Sequence, residues 1–430
     1  MRNLQESSCK SQISNFKSQI SSLLAFLLAA AAVSARAEPP TATMADGAPL
    51  AAQLAAVDDH WQVTLDTDGR QQTLPAADLA SWGTCVEPAR GPILVLADGG
   101  LLPADPQGTE GGLLTAHSQL LGPLRLPMES LSGVVLRLPP GGQDRQKLLD
   151  RIARANGDSD RLLLDNGDEL TGLVERLGPG KVELKAEAGP LSVEFRRIVA
   201  IVLSPALRQS PAAEGLYAWI GLSDGSRLPV RRLIVTRPGD CPDLRPPVPS
   251  DRPKMGLSPS TLELTTLSGQ TWHAASKELV FLQPLGGRSV YLSDLQPAEY
   301  RHVPYLALAW PWLADRNVTG GPLRCGGRLW LKGLGLHSAA RLSYALDRPW
   351  KSFRAELGID DSTAGRGSVA YRVLVDGQEK AAGGPIRGGT PPAVIAVDLA
   401  GAKRLELIVD YAERGDVLDH ADWLNARLVK

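Results

Sequence analysis

The feature that most constrains this chain is a period-two alternation of apolar residues, repeated in many short runs that glycine, proline and aspartate interrupt. In the C-terminal third the runs are Leu342, Tyr344, Leu346, then Phe353, Ala355, Leu357, Ile359, then Val369, Tyr371, Val373, Val375. Ile395, Val397, Leu399 and Leu405, Leu407, Val409, Tyr411 continue the pattern. Successive side chains of a strand point to opposite faces, so each run carries one apolar face that needs a partner layer. Many such runs at short intervals predict an all-β chain ending in a jelly-roll-like antiparallel sandwich. The 43 glycines and 33 prolines suit that reading, because they supply turns and leave little room for long helices.

Upstream, the alternation is organised as a repeat. In one unit Ile93 to Leu96 leads to Asp98-Gly99, and later come Gly122-Pro123-Leu124-Arg125-Leu126, Leu131, Val134 and Leu136. In the next, Leu162 to Leu164 leads to Asn166-Gly167, then Gly189-Pro190-Leu191-Ser192-Val193, Ile198, Ile201 and Leu203. A third copy begins at Ile220 with Asp224-Gly225 and resumes at Gly269 with Trp272, Leu279 and Phe281. The region from Trp61 to Trp82 reads as an incomplete or diverged first copy. Asx-Gly pairs provide the positive φ that tight hairpins need, so each unit is a small barrel or a β-ribbon. If the duplication is real, Leu124 and Leu191 occupy equivalent buried positions.

The organisation that follows is a leader over 1–37, β-units over 44–140, a helical connector over 141–157, a second β-unit over 158–210, a third over 214–286 and the sandwich over 287–430. Within the third unit the proline-dense stretch 237–259 cannot donate ladder hydrogen bonds and reads as an extended surface loop. The one helix expected is short, near 143–155, with Leu148, Leu149 and Ile152 on one face.

Charge excludes one class of partner. With 46 Lys+Arg against 47 Asp+Glu the formal net charge is −1, which leaves no electrostatic footprint for nucleic acid. Arg2, Lys10 and Lys17 precede the apolar run Ile20 to Val33, and Ala35-Arg36-Ala37 offers small residues for cleavage. This is a secretory leader pattern, so a secreted, periplasmic or cell-envelope location is expected, with no transmembrane segment once the leader is removed. Cys9 leaves with the leader; Cys85, Cys241 and Cys325 allow at most one internal disulfide, of unspecified pairing.

Three short signatures stand in the C-terminal third: Lys332-Gly333-Leu334-Gly335-Leu336-His337-Ser338, then Gly358-Ile359-Asp360-Asp361 with Gly365-Arg366-Gly367-Ser368-Val369, then Asp419-His420-Ala421-Asp422-Trp423. In this order and spacing, over roughly Ser289 to Lys430, they resemble the NPCBM family, carbohydrate-binding modules first noted beside family 98 glycoside hydrolases. The resemblance implies a galactose-binding-like sandwich that binds a carbohydrate or glycan and is not itself catalytic. The chain carries no nucleophile elbow, no His-Glu-x-x-His and no phosphate loop, in keeping with that expectation. Two alternatives stay open: a docking protein of the cell envelope, whose partner is another envelope protein, and a glycoside hydrolase with an unrecognised site.

Sugar recognition combines an aromatic ring for stacking with carboxylate, arginine or histidine for the hydroxyls, on loops at one end of a sandwich. The candidates are His337, Trp350, Asp360, Asp361 and Arg366, with Asp419 and His420 converging from the C-terminus. Trp350, after Arg348-Pro349, is the expected surface ring, and Trp423 the expected core ring. Gly333 and Gly335 serve either close approach of a ligand or close strand packing. Asp360, Asp361, Asp416, Asp419 and Asp422 are candidate ligands of a structural calcium, which takes six to eight oxygens, or else turn caps paired with Arg341, Arg366 or His420. No other cofactor is expected. The leader yields a direct prediction: mass spectrometry of exported protein finds Glu38 first, and retention of Leu23–Val33 contradicts it.

Overall fold

The structure is a computed structural model that describes residues 40–237, 260–305 and 307–430. The leader, Cys9, Cys241 and nearly all of the proline-dense stretch lie outside the described residues. Cys85 and Cys325 are both buried and free.

The repeat is fourfold. Its copies run over 41–83, 93–135, 160–202 and 217–285, each ending in a three-residue 3-10 turn and a short closing strand. The turns are Ala76–Asp78, Met128–Ser130, Phe195–Arg197 and Ser276–Glu278. One hydrogen bond recurs in all four: a backbone N–H just past the opening strand donates to the last carbonyl of the turn. The pairs are Ala45 to Asp78, Ala97 to Ser130, Asp165 to Arg197 and Ser223 to Glu278. Of the two readings of the first copy, incomplete or diverged, the structure shows the second: the copy is complete. Its opening strand Thr41–Met44 and closing strand Leu79–Gly83 pair directly, although neither resembles its counterparts in sequence.

Closing strands also join the copies in twos. Gly133–Val135 pairs with Ala200–Val202, linking the second and third, and Trp82–Gly83 pairs with Phe281–Leu282, linking the first and fourth. The expectation for Leu124 and Leu191 holds for register but not for burial. Leu124 lies opposite Ala116 and joins the main apolar cluster, whereas Leu191, opposite Leu184, is 39% exposed and lies outside it. The repeat sets the pairing, and the neighbours of each copy set what is covered. The helix Gly142–Ala153 lays Leu148, Leu149 and Ile152 over Ile93, Val135 and Ala200.

The C-terminal region is a sandwich of two antiparallel sheets. One has the order Leu313–Ala314, Gly333–His337, His420–Val429, Ser352–Ile359, Ala393–Asp398, with Ser289–Tyr291 also on His420–Val429. The facing sheet has the order Glu299–His302, Ala340–Ala345, Arg404–Tyr411, Ser368–Val375, Gln378–Arg387. Alternate side chains of both layers, Leu336, Phe353, Leu357, Val373, Leu407 and Trp423 among them, form the core between them. Trp423 is a core ring, as expected.

The outer face of the first sheet is covered by the repeats, so its central strand His420–Val429 is buried at every position. Arg427 donates from Nε to the Ala45 carbonyl at 3.0 Å and from an Nη to that of Met44 at 2.9 Å. Gln283 of the fourth copy donates to Tyr291 Oη and to Asn425 Oδ1, and Tyr291 donates to the Ala80 carbonyl. Asp46, in a turn of the first copy, accepts from Ser352 Oγ at 2.8 Å and Arg354 Nε at 3.0 Å, and pairs with Lys351. Burial alone would raise the Asp46 carboxyl, but the hydrogen bonds from Lys351, Ser352 and Arg354 outweigh it and bring it down from 3.8 to about 2.

A depressed carboxyl stabilises the fold above its unfolded value, and that contribution disappears as pH falls through the folded value. Asp46→Asn is expected to cost about 1.5–3 kcal/mol near neutral pH, the usual size for hydrogen bonds to a charged group. In melting experiments the gap between wild type and variant should close between pH 3.8 and about 2. A gap of constant size across that window contradicts the assignment.

Candidate functional site

Three strand ends meet at one end of the sandwich. His337 closes the strand Gly333–His337 and lies opposite His420, the first residue of the C-terminal strand. His302 closes the neighbouring strand Glu299–His302 of the other sheet. The Gly-x-Gly step before His337 serves strand packing. A Cβ on Gly335 would lie 2.4 Å from the Arg316 carbonyl oxygen, and one on Gly333 would lie 2.6 Å from that of Trp423. Close packing of backbone on both sides is thus what delivers His337 to the rim.

The segment after His302 folds over these ends and brings Trp310 with it. Its backbone is held from two sides: the Trp310 N–H donates to His302 Nδ1 at 3.3 Å, and Tyr300 Oη donates to the Trp310 carbonyl at 2.6 Å. The indole then lies parallel to the His337 ring, with centroids 4.7 Å apart. His420 completes the group, 5.8 Å from His337 and 5.7 Å from Trp310, centroid to centroid. Leu418 turns in with a left-handed φ of 59°, a conformation that a leucine adopts only under constraint. Trp310, His337 and His420 with Leu308, Asp416 and Leu418 line a cleft of about 390 Å³. Beside it Tyr305, 62% exposed, stands edge-on to Tyr411.

The electrostatics follow from burial. Desolvation, and then the neighbouring His420, push the His337 imidazole down to about 4, and desolvation also lowers His302 and His420. His337 is therefore neutral at pH 7. A neutral imidazole carries one donor and one acceptor, the pair that a sugar hydroxyl uses. Burial pushes the Asp419 carboxyl up to about 6. The cleft thus combines an aromatic face, apolar walls, neutral rings and the Asp416 carboxylate, and among the described residues no lysine or arginine lines it.

The other expected site residues are placed elsewhere or turned inward. Asp419 is buried behind the cleft, with Oδ1 accepting from the Ser368 N–H at 2.9 Å. Asp360 is buried and accepts from Asn317 Nδ2 and from the Arg324 and Ser362 N–H groups, each at 3.0 Å. Asp361 accepts from the N–H groups of Gly326 and Gly327. Arg366 is exposed and bonds its own turn at the Thr363 carbonyl. Trp350 is a correction. It is only 5% exposed, packs in the sandwich core, and precedes Ser352, which pairs with Val429 at the far end of the strand that begins at His420. The Arg348-Pro349 turn is exposed, but the ring folds under it.

The five carboxylates considered for calcium are likewise divided. Asp360 and Asp361 spend their oxygens on backbone and amide donors, and Asp422 is fully buried beside Asp360, its carboxyl raised by burial and then by that neighbour. Asp416 and Asp419 lie in the separate group at the cleft. Among the described residues no group of three or more acidic, histidine or cysteine side chains is arranged to hold a metal ion. Trp310, His302, Leu308, Leu418 and Tyr305 are the residues that the three signatures do not reveal. For Tyr305, Leu308 and Trp310 the signal in the sequence is the aromatic stretch Tyr305 to Trp312 within the lead-in to the sandwich; His302 and Leu418 have none.

Residues 288–429 match the model of the NPCBM/NEW2 domain. A Renibacterium salmoninarum protein named as an endo-alpha-N-acetylgalactosaminidase is 34% identical over 110 residues, 26% of this chain and 7% of its own length. The alpha-1,3-galactosidase B of Akkermansia muciniphila is 30% identical over 115 residues, 26% of this chain and 14% of its own length. The chain thus spans a small part of these relatives, and the matches fall on the carbohydrate-binding module. Among solved structures, a CBM51 module from a Clostridium perfringens GH95 protein, in complex with methyl-galactose, is 25% identical with a TM-score of 0.30. That match covers 33% of this chain and 99% of that one. The CBM51-2 and INT domains of Clostridium perfringens ZmpB, in complex with GlcNAc, are 27% identical with a TM-score of 0.31, covering 40% and 36%.

The placement of Trp350 gives a test. Trp350→Ala should destabilise the protein by about 3–5 kcal/mol in denaturant unfolding, the range for removing a buried aromatic. Arg366→Ala should stay within about 0.5 kcal/mol of wild type, as exposed substitutions do. A Trp350→Ala protein as stable as wild type would return that ring to the surface.

Proposed function

We propose that this chain is an exported, non-catalytic carbohydrate-binding protein whose sugar sits in the cleft at Trp310, His337 and His420. The observation that carries the proposal is the cleft itself, in which an oriented indole and neutral imidazoles meet beside one carboxylate. A pyranose presents C–H groups on one face and hydroxyls around its edge. The C–H face packs on the Trp310 side of the cleft and on Leu308 and Leu418. The hydroxyls bond to His337 and His420 as donor and acceptor and to Asp416 as acceptor. A cleft with no cationic side chain among the described residues favours a neutral sugar over a uronic or sialic acid. The names of the two relatives make galactose and N-acetylgalactosamine the first sugars to test. Export rests on the leader pattern at Arg2 to Ala37.

One small cleft gives weak binding, because few contacts form and each hydroxyl gives up water. Titration calorimetry of the full chain with galactose and N-acetylgalactosamine is expected to give saturable binding in the high-micromolar to millimolar range. Trp310→Ala should weaken it about tenfold or more while the melting temperature stays close to wild type, since truncating an anchor ring costs about 1.4 kcal/mol or more. Saturable binding that survives Trp310→Ala would place the sugar elsewhere. A folded chain that ignores every neutral sugar would favour the docking reading.

A further inference from the structure

We propose that the groove between the second and third repeat copies binds an extended, apolar segment of a partner protein that carries lysine or arginine. The groove encloses about 690 Å³ and is independent of the sugar cleft. Its floor is apolar, with Leu131, Leu177 and Leu203 buried at the bottom. Leu173 and Leu207 stand over it at 56% and 78% exposure, unusual for leucines that face no partner. The rim is acidic: Glu110, Glu129, Asp158 and Glu175 all line it, all are exposed, and none forms an ion pair among the described residues. The single cation of the lining among the described residues, Arg208, is already engaged with the Ala153 and Leu203 carbonyls. Apolar floor and unpaired acidic rim together call for apolar side chains interleaved with basic ones.

The molecule contains its own precedent for such an occupant. The first and fourth copies are joined as the second and third are, through closing strands. After each pair the chain crosses the 3-10 turn of the earlier copy by one equivalent bond, Gln209 N–H to Glu129 O at 2.8 Å and Arg288 N–H to Ala77 O at 3.2 Å. Over the first and fourth copies that segment runs on into the sandwich. There Arg288 pairs with Asp78 of the turn at 2.8 Å, and Tyr291 packs down to bond the Ala80 carbonyl. An extended piece with a basic and a large apolar residue therefore covers one pair of copies. Over the other pair, among the described residues, the lining comes from the two copies, Asp158 just before the third, and the segment leaving them.

The test uses the full chain and two labelled synthetic peptides, one alternating leucine with lysine and one alternating leucine with glutamate, read by fluorescence anisotropy. The lysine peptide should bind saturably and lose affinity as salt rises. The double variant Glu110→Lys/Glu129→Lys should weaken it about tenfold or more and gain affinity for the glutamate peptide, as reversed rim charges require. Leu207→Asp should weaken it too, and unchanged melting curves show that the variants are folded. Absent binding of the lysine peptide, equal binding of both peptides, or binding indifferent to these substitutions overturns the proposal. So does a concentration-dependent dimer, seen by sedimentation and abolished by Leu207→Asp, which would assign the groove to a second copy of this chain.

Discussion

The strand His420–Val429 bears the rest of the structure. It is central in its sheet, with Ser352–Ile359 on one edge and Gly333–His337 and Ser289–Tyr291 on the other. It is also buried on both faces, one against the sandwich core and one against the repeats. A strand in that position cannot slip by one residue, because Trp423 would leave the core and Asn425 and Arg427 would lose their partners. Arg427 is the costly member, since burial opposes its charge and lowers its pKa. The carbonyls of Met44 and Ala45 meet the guanidinium, so the first repeat copy is part of what lets this strand exist.

The same strand shapes the cleft proposed to hold the sugar. Its register sets His420 opposite His337, and the burial that follows keeps the His337 ring neutral at pH 7. The two groups of carboxylates divide at the start of the strand, with Asp416 and Asp419 before it and Asp422 within it. Asp422 points into a dry site beside Asp360, where its protonated form is favoured, whereas Asp416 reaches the cleft from the preceding loop. Acidic residues close together in sequence therefore serve two ends: holding a loop, and lining the cleft.

Much of this was legible in the sequence, and the misses share one cause. Alternation identified the layers, the Asx-Gly pairs identified the repeat, and the three signatures located His337 and His420. Trp350 follows a polar turn that suggests an exposed ring, yet the chain folds that ring under the turn into the core. Trp310 carries the aromatic face of the cleft, yet nothing local distinguishes it from Trp312. Its role depends on Tyr300 and His302 fixing its backbone and on His337 supporting its ring. The alternation also says nothing of the outer face of Ser352–Ile359, whose near-continuous burial comes from contact with distant repeats. Local pattern reports which residues share a face, and long-range packing decides what that face meets.

The proposed ligand cleft lies at Trp310, His337 and His420 and not at the Asp360–Arg366 turn or at Trp350. The most direct measurement is nuclear magnetic resonance of the labelled full chain, following tryptophan indole and histidine imidazole signals as galactose is added. Saturable shifts are expected at Trp310, His337 and His420, with Trp350 and the backbone amides of Asp361 and Arg366 unmoved. Shifts confined to the Asp360–Arg366 turn or to Trp350, with Trp310 and His337 silent, would contradict that placement.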